Sequence, residues 1–320
     1  MDEIENSIRY TINNMVMKKV LILLSTYNGE KYLREQLDSI IRQKDVKVTL
    51  LVRDDGSKDS TRKILGEYMQ KYPSMFIIEK GENVGCRMSF FWLIKKAADN
   101  YPDFDYYAFA DQDDVWLEDK MISGVNALDE IDNPYKVYYC SYQMVDENLK
   151  EIPTPHNKHL GTLEEAFIFQ PCLGCCMMFS RELIEKAAMV EPEVIKIHDA
   201  WVYLLNLALS GKAIQDLNRY ILYRQHSSNT IGSNQSFIKK WKRRFKSFRK
   251  NDNSRSLQAG EIMRVYGKEL KGDITYCLDQ IASYKNSVKK KLKIITSKKY
   301  KSNKPLHNFL FKFAILSNRI

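Results

Sequence analysis

Continuous apolar runs alternate with amphipathic stretches through the first third of the chain. "KKVLILLS" (18–25), "VKVTLLVRDD" (46–55), "MFIIEK" (75–80) and "DYYAFA" (105–110) lack the alternation of a half-exposed strand and read as strands buried on both faces. Between them, "TYNGEKYLREQLDSIIRQ" sets Leu33, Leu37, Ile40 and Ile41 at helical spacing. "SKDSTRKILGEYMQKY" predicts a second helix with Ser57 or Asp59 as its cap, and "MSFFWLIKKAADN" (88–100) a third. This alternation predicts a parallel sheet in a three-layer α/β domain. From 136 onward "KVYYCSYQMV" predicts another strand, "GTLEEAFIF" a short helix and "CLGCCMMFSRELIEKAAM" a strand turning into a helix. "HDAWVYLLNLALSG" (198–211) follows as an apolar helix and "KAIQDLNRYILYRQH" as a strand or strand pair, before the boundary-loop composition of "SSNTIGSNQS" (227–236).

Composition refines this outline. With 320 residues and 44% hydrophobic content, the chain suits one large domain with a smaller appendage. The expected division is a polar leader over 1–17, a catalytic domain over 18–235 and a basic, mainly helical extension over 236–320. No run of eighteen apolar residues occurs, and the opening "MDEIENSIRY" is acidic, so a cytoplasmic protein is expected. The six cysteines (86, 140, 172, 175, 176 and 277) show no disulfide-scaffold spacing and are expected to be reduced thiols. The net charge of +10 conceals an asymmetry: residues 237–320 hold 23 Lys and Arg against 5 Asp and Glu, net +18, which leaves net −8 for residues 1–236.

In open α/β sheets ligands collect outside the carboxyl ends of the strands. Here "STYNG", "DDGS", "GENVG" and "DQDD" fall at those ends. The first turn is not G-x-G-x-x-G, and no G-x-x-x-x-G-K-[ST] occurs, which disfavours dinucleotide oxidoreductases and P-loop NTPases. Asp55 is open to two readings: a turn or cap residue, or an acceptor for a nucleotide base or ribose. Asp111, Asp113 and Asp114 suit a helix N-terminus. Asp111 and Asp113, alternating around Gln112, also suit one hard cation completed by substrate phosphates. Asp199 reads either as a helix cap or as a general base for an acceptor hydroxyl. His226 is either structural or a metal or diphosphate contact. "PCLGCC" lacks the second ligand pair that zinc requires, so buried thiols around a tight turn are expected there.

Together, "STYNGEKYLREQLDSI", "VRDDGSKDST", "GENVGCRMSF", "FADQDDVW", "CLGCCMMFSREL", "HDAW" and "YRQHSSNTIG" resemble the family 2 glycosyltransferases of bacteria over about residues 18–233. The resemblance implies a GT-A fold, an inverting transfer from a nucleotide-diphosphate sugar, and Mg²⁺ or Mn²⁺ as cofactor. It places Ser25 and Tyr27 in the nucleotide pocket, Asp55 against the base, Asp111 and Asp113 in a DxD metal motif with His226 as a further contact, and Asp199 as the catalytic base. "DQDDVW" with "YRQHSSN" resembles the rhamnosyltransferase branch, which builds cell-wall or capsular polysaccharide from dTDP-L-rhamnose. A UDP-hexose-dependent galactosyl- or glucosyltransferase is the alternative, and a non-catalytic nucleotide-sugar or polyanion binder the alternative of another class.

The basic end adds a partner. "SFIKKWKRRFKSFRK" (236–250) sets Phe237, Trp241, Phe245 and Phe248 on one helical stripe among Lys and Arg, the pattern of a helix lying on an anionic membrane surface. The other reading packs that stripe on the catalytic domain. Nucleic acid is disfavoured as partner, because the acidic catalytic half would oppose it. The expected picture is a transferase peripheral to the inner face of the cell membrane, acting on a polyprenyl-linked saccharide. "LHNFLFKFAIL" (306–316) reads as a second interfacial or docking helix, and the oligomeric state stays open.

Overall fold

The four apolar runs form the strands they predict. A computed structural model describes residues 17–155, 158–190, 195–226 and 254–320. β1 (Lys19–Thr26) pairs in parallel with β2 (Lys47–Asp54) and with β4 (Tyr106–Ala110), and β2 pairs in parallel with β3 (Phe76–Lys80). Val20 to Leu24 and Leu50 to Val52 have no exposed surface, because helices cover both faces of the sheet. Those helices include α1 (Leu33–Ile41), α2 (Thr61–Lys71) and α3 (Cys86–Asn100).

Beyond β4 the sheet becomes mixed. Its order is β3-β2-β1-β4-β7-β6-β8-β5, with β7 (Met177–Ser180) antiparallel to both β4 and β6 (Lys136–Val145), and β8 (Lys212–Arg224) parallel to β6. The helix N-terminus that Asp111, Asp113 and Asp114 suit is not realised in "VWLEDKMISGVNALDEI". Val115–Trp116 is instead a short strand, β5, opposite Leu222 and Ile221, and Trp116 N–H donates to Ser39 Oγ at 3.0 Å. The next helix, α4, starts only at Lys120 (Lys120–Asp129). β5 thus pins the acidic loop between β4 and β8.

Three helices complete the catalytic body: α5 (Leu163–Ile168), α6 (Arg181–Ala188) and α7 (His198–Ala208). The described part of the basic extension is helical as expected, with α8 (Ser254–Tyr266), α9 (Gly272–Ser283), α10 (Val288–Thr296) and α11 (Pro305–Leu316). It docks on the catalytic body: Arg255 donates to the Ile168 carbonyl at 3.5 Å, and Lys186 pairs with Glu269 at 2.8 Å. One hydrophobic core runs through both parts. The stripe of Phe237, Trp241, Phe245 and Phe248 lies outside the described residues. Among the described residues no helix is long and apolar enough to cross a membrane.

Candidate active site

The strand ends do converge, and they differ in how their acids are supplied with donors. At the end of β2, Asp54 is fully buried and accepts from Arg62 Nε at 2.6 Å and Ser57 N at 3.2 Å. Asp55 accepts from the Arg53 guanidinium, from Val84 N at 3.0 Å and from Gly85 N at 2.8 Å. Its carboxylate therefore holds the loop that opens α3. Ser25, at the end of β1, lies 2.6 Å from Ser89 Oγ, which accepts from Arg53 at 3.0 Å. Ser25 and Asp55 are thus joined through Ser89 and Arg53, two residues that the sequence did not mark.

The expected capping role of Ser57 and Asp59 is corrected in part. The helix cap is Ser60, while Ser57 Oγ accepts from Asn28 N at 3.0 Å. Asp59 accepts from Thr61 N and Glu30 N, both at 3.0 Å. These contacts clamp the loops after β1 and β2 together.

Gln112 has a positioning role that the sequence hid. Its amide accepts from Tyr27 N at 2.9 Å and donates to Tyr27 O at 3.1 Å, zipping the acidic loop to the exposed Tyr27. This contact requires Gly29, since a Cβ there would lie 2.4 Å from Gln112 Oε1.

The acids after β4 are poor in donors. Asp114 is fully buried; its Oδ1 accepts from Arg224 N at 3.2 Å, and its Oδ2 has no partner. It does not cap the following helix, as β5 intervenes. Burial, with Asp113 and Asp111 beside it, pushes this carboxyl well above the usual range. Burial and the charges of Asp113 and Asp199 push Asp111 up to about 7. Ligand atoms of Asp111, Asp114 and Cys175 lie within 4.8 Å of one another. Asp113 is not part of that group; its Oδ2 lies 2.8 Å from His226 Nε2. The His226 ring packs on Tyr32, with centroids 4.9 Å apart.

Arg224 organises this corner. Nearly fully buried, it donates from Nε to Asp113 O at 2.8 Å and from its Nη1 to Glu147 O at 2.7 Å, pairs with Glu35, and lies 4.5 Å from the Tyr32 ring centre. Its only sequence signal was an Arg ending a strand two residues before His226. Lys120, also buried, sits 3.5 Å from the Trp116 ring centre.

Asp199 lies in the first turn of α7 rather than at its cap, which is Ile197; its Oδ1 accepts from Ala200 N at 2.6 Å. Gly174, in the turn of "PCLGCC", leaves room for the neighbouring His198: a Cβ there would lie 2.8 Å from His198 Nε2, and only in ordinary contact, 3.5 Å, with Asp199 Oδ2. The cysteines are unpaired and, apart from Cys86, buried. Cys86 stands among the acids. Lost solvation, followed by the charges of Asp111, Asp199, Asp55 and Asp113, pushes its thiol up to about 12. Its thiol is thus within electrostatic reach of all four carboxylates.

The donor chemistry at the cleft mouth fits a divalent cation. Asp113 and His226 converge one carboxylate oxygen and one imidazole nitrogen, a set that suits Mn²⁺ better than the all-oxygen preference of Mg²⁺. Asp111, directed into the same cleft, adds a second carboxylate.

Comparison with known proteins identifies the family. The family model described as glycosyl transferase family 2 matches residues 21–187. A dTDP-rhamnosyl transferase, RfbG of Shigella flexneri, is 32% identical over 233 residues, 69% of this chain and 77% of that protein. An uncharacterized glycosyltransferase of Rickettsia prowazekii is 26% identical over 193 residues, 58% of each chain. Among solved structures, S. aureus TarS 1-349 in complex with UDP aligns with a TM-score of 0.55 at 18% identity, covering 83% of this chain and 70% of its own. The Pyrobaculum calidifontis mannosyltransferase PcManGT, in complex with GDP-Man and Mn2+, aligns with a TM-score of 0.52 at 14% identity, covering 95% and 81%. The sheet and its flanking helices are those of the GT-A glycosyltransferases. The chain belongs to glycosyl transferase family 2 and is a glycosyltransferase.

Proposed function

We propose that the enzyme transfers L-rhamnose from dTDP-L-rhamnose, with inversion, to a hydroxyl of a lipid-linked or growing cell-surface polysaccharide of the cell wall or capsule. The observation that carries this reading is the meeting of Asp113 with His226 at 2.8 Å, with Asp111 close enough for the charges of Asp113 and Asp199 to act on it. The donor sugar is supported by the 32% identity to a dTDP-rhamnosyl transferase.

Asp113, Asp111 and His226 would hold Mg²⁺ or Mn²⁺, which when bound offsets the charge developing on the leaving diphosphate. Ser25, Tyr27 and Asp55 form the nucleotide side of the cleft. Asp55 acts there both directly and by fixing Arg53 and the loop at Val84 and Gly85. Asp199 takes the proton from the acceptor hydroxyl as that oxygen attacks the anomeric carbon on the face opposite the diphosphate. Residues 18–235 act as the catalytic domain, with 1–17 as leader and 236–320 as the basic extension. Through 236–250 the enzyme rests on the inner face of the cell membrane, where a polyprenyl-linked acceptor is presented.

The test is release of nucleoside diphosphate from dTDP-rhamnose, UDP-galactose and UDP-glucose with Mn²⁺, for the wild type and Asp199→Asn. Preference for dTDP-rhamnose, with transfer lost and donor binding retained in Asp199→Asn, is the expected result. A preference for a UDP-hexose would replace the rhamnose assignment, and undiminished transfer by Asp199→Asn would remove the base.

A further inference from the structure

Backbone pairing between β1 and β4 stops at Leu24 and Ala110. Just beyond, a side chain continues it. Gln112 accepts from Tyr27 N at 2.9 Å and donates to Tyr27 O at 3.1 Å, the two bonds that a residue of an adjacent antiparallel strand would exchange with it. The partners fix which way the amide points, because its oxygen alone can accept from an N–H and its nitrogen alone can donate to a carbonyl. A glutamate could not donate, and an asparagine is one methylene shorter. A residue that only spaces two aspartates would need neither group.

The two ends of this contact belong to different halves of the proposed site. Asp111 and Asp113 stand on either side of Gln112, so a shift of its backbone moves both carboxylates. Tyr27 begins a segment that is locked to the loop after β2: Asn28 N donates to Ser57 Oγ at 3.0 Å, and Lys58 N to Asn28 Oδ1 at 2.9 Å. The same segment continues to Tyr32, whose ring centre lies 4.9 Å from that of His226 and 4.5 Å from the Arg224 guanidinium. Arg224 in turn donates from Nε to Asp113 O at 2.8 Å. Residues 27–32 therefore meet the acidic loop directly at Gln112 and again, through Arg224, at Asp113. Gly29 makes the first meeting possible. Its backbone is not left-handed, so what it supplies is space: a Cβ there would lie 2.4 Å from Gln112 Oε1.

We propose that Gln112 is a positioning residue that couples the nucleoside to the cation. A nucleoside held against Tyr27 fixes the Gln112 amide and with it Asp111 and Asp113, and a cation on those carboxylates fixes Tyr27 in return. This rests on the reading that Tyr27 faces the nucleoside and that Asp113, Asp111 and His226 hold the cation. It differs from the contact between a diphosphate and its ion, because it runs through the protein and is felt by a nucleoside that carries no phosphate. Linkage makes it reciprocal: the factor by which the nucleoside tightens the cation equals the factor by which the cation tightens the nucleoside. Whichever ligand arrives first orders the paired loops, and the second then has less to order.

The test is Mn²⁺ binding to the full chain, read by electron paramagnetic resonance, with and without saturating thymidine, or uridine where that binds more tightly. Calorimetry of the nucleoside with and without Mn²⁺ gives the reciprocal factor. In the wild type each ligand tightens the other roughly fivefold or more. In Gln112→Leu, which has no amide, the two ligands bind independently. They do so again in Gly29→Ala, which keeps the amide but displaces it from Tyr27. The factor is a ratio measured within one protein, so a general loss of stability does not imitate its disappearance. A wild type that binds both ligands with no mutual effect, or either variant keeping the full factor, overturns the coupling and leaves the site reading standing. A wild type that fails to bind Mn²⁺, or to bind either nucleoside, removes the site reading and the coupling with it.

Discussion

The two acidic strand ends read alike in sequence and behave oppositely in the structure. After β2, Asp54 and Asp55 are buried but surrounded by donors: Arg62, Arg53 and the backbone of Ser57, Val84 and Gly85. After β4, Asp111 and Asp114 are pushed upward in pKa, and one buried oxygen of Asp114 meets no donor at all. Buried carboxylates supplied with donors act as braces, whereas those short of donors favour whatever brings positive charge. The contrast separates acids that brace the loops from acids left short of donors.

The largest effect is expected at the cleft mouth. Asp113→Asn should lower transfer by on the order of a thousandfold, since a divalent ion at a developing phosphate charge contributes several kcal/mol. Titration calorimetry should show weakened Mn²⁺ binding in the same variant, and an unaltered isotherm would remove Asp113 from the metal site. At the other strand end the loss should appear in folding. Asp55→Ala leaves the buried Arg53 guanidinium uncompensated and should cost about 3–5 kcal/mol, read by urea unfolding. A cost below about 1 kcal/mol would mean that Arg53 finds other partners and the bracing role is wrong.

The donor-poor end extends to His198, stacked on Phe90 with centroids 3.8 Å apart and without a partner on either ring nitrogen. Burial lowers its pKa from 6.5 to about 4. The unfolded chain therefore takes up a proton that the folded protein refuses. Stability from this group is present above about pH 6.5 and is lost as pH falls towards 4, by up to about 3 kcal/mol. His198→Phe should flatten that part of the stability profile; an identical slope in both proteins would refute the assignment. The smallest effect is at Asp114. Its raised carboxyl withdraws stability as pH rises above the usual carboxylate range, so Asp114→Asn should stabilise the metal-free protein at alkaline pH by about 1–2 kcal/mol. Thermal melts at acid and alkaline pH would expose the opposite trend if Asp114 were a brace like Asp55.

Much of this was legible in the chain. The buried runs gave β1 to β4 because an apolar stretch of strand length between turn signals has few alternatives. The placing of polar clusters at strand ends brought Asp55, Asp111 and Asp113 into view for the same reason, whereas Asp199, at a helix start, and His226, a lone histidine before a loop, took their roles from the family resemblance. What stayed hidden depends on partners far away in sequence. Gln112 looked like a spacer between two aspartates until Tyr27, 85 residues earlier, accepted its amide. Val115 and Trp116 have nothing of a strand in their own neighbourhood and become one only beside β8. Arg224 and Ser89 are ordinary residues locally, and their importance lies in the loops they join.

The sequence by itself determined the layered fold, the chemistry at the strand ends and the concentration of positive charge at one end of the chain. All three follow from local periodicity and composition. Only the tertiary structure decided which acids are supplied with donors and which are left short of them, because that depends on donors brought from other strands and loops. It also decided that α11 buries Phe311, Ala314 and Ile315 and leaves Leu306, Phe309 and Leu316 exposed, since an apolar helix does not announce which of its sides the protein will cover.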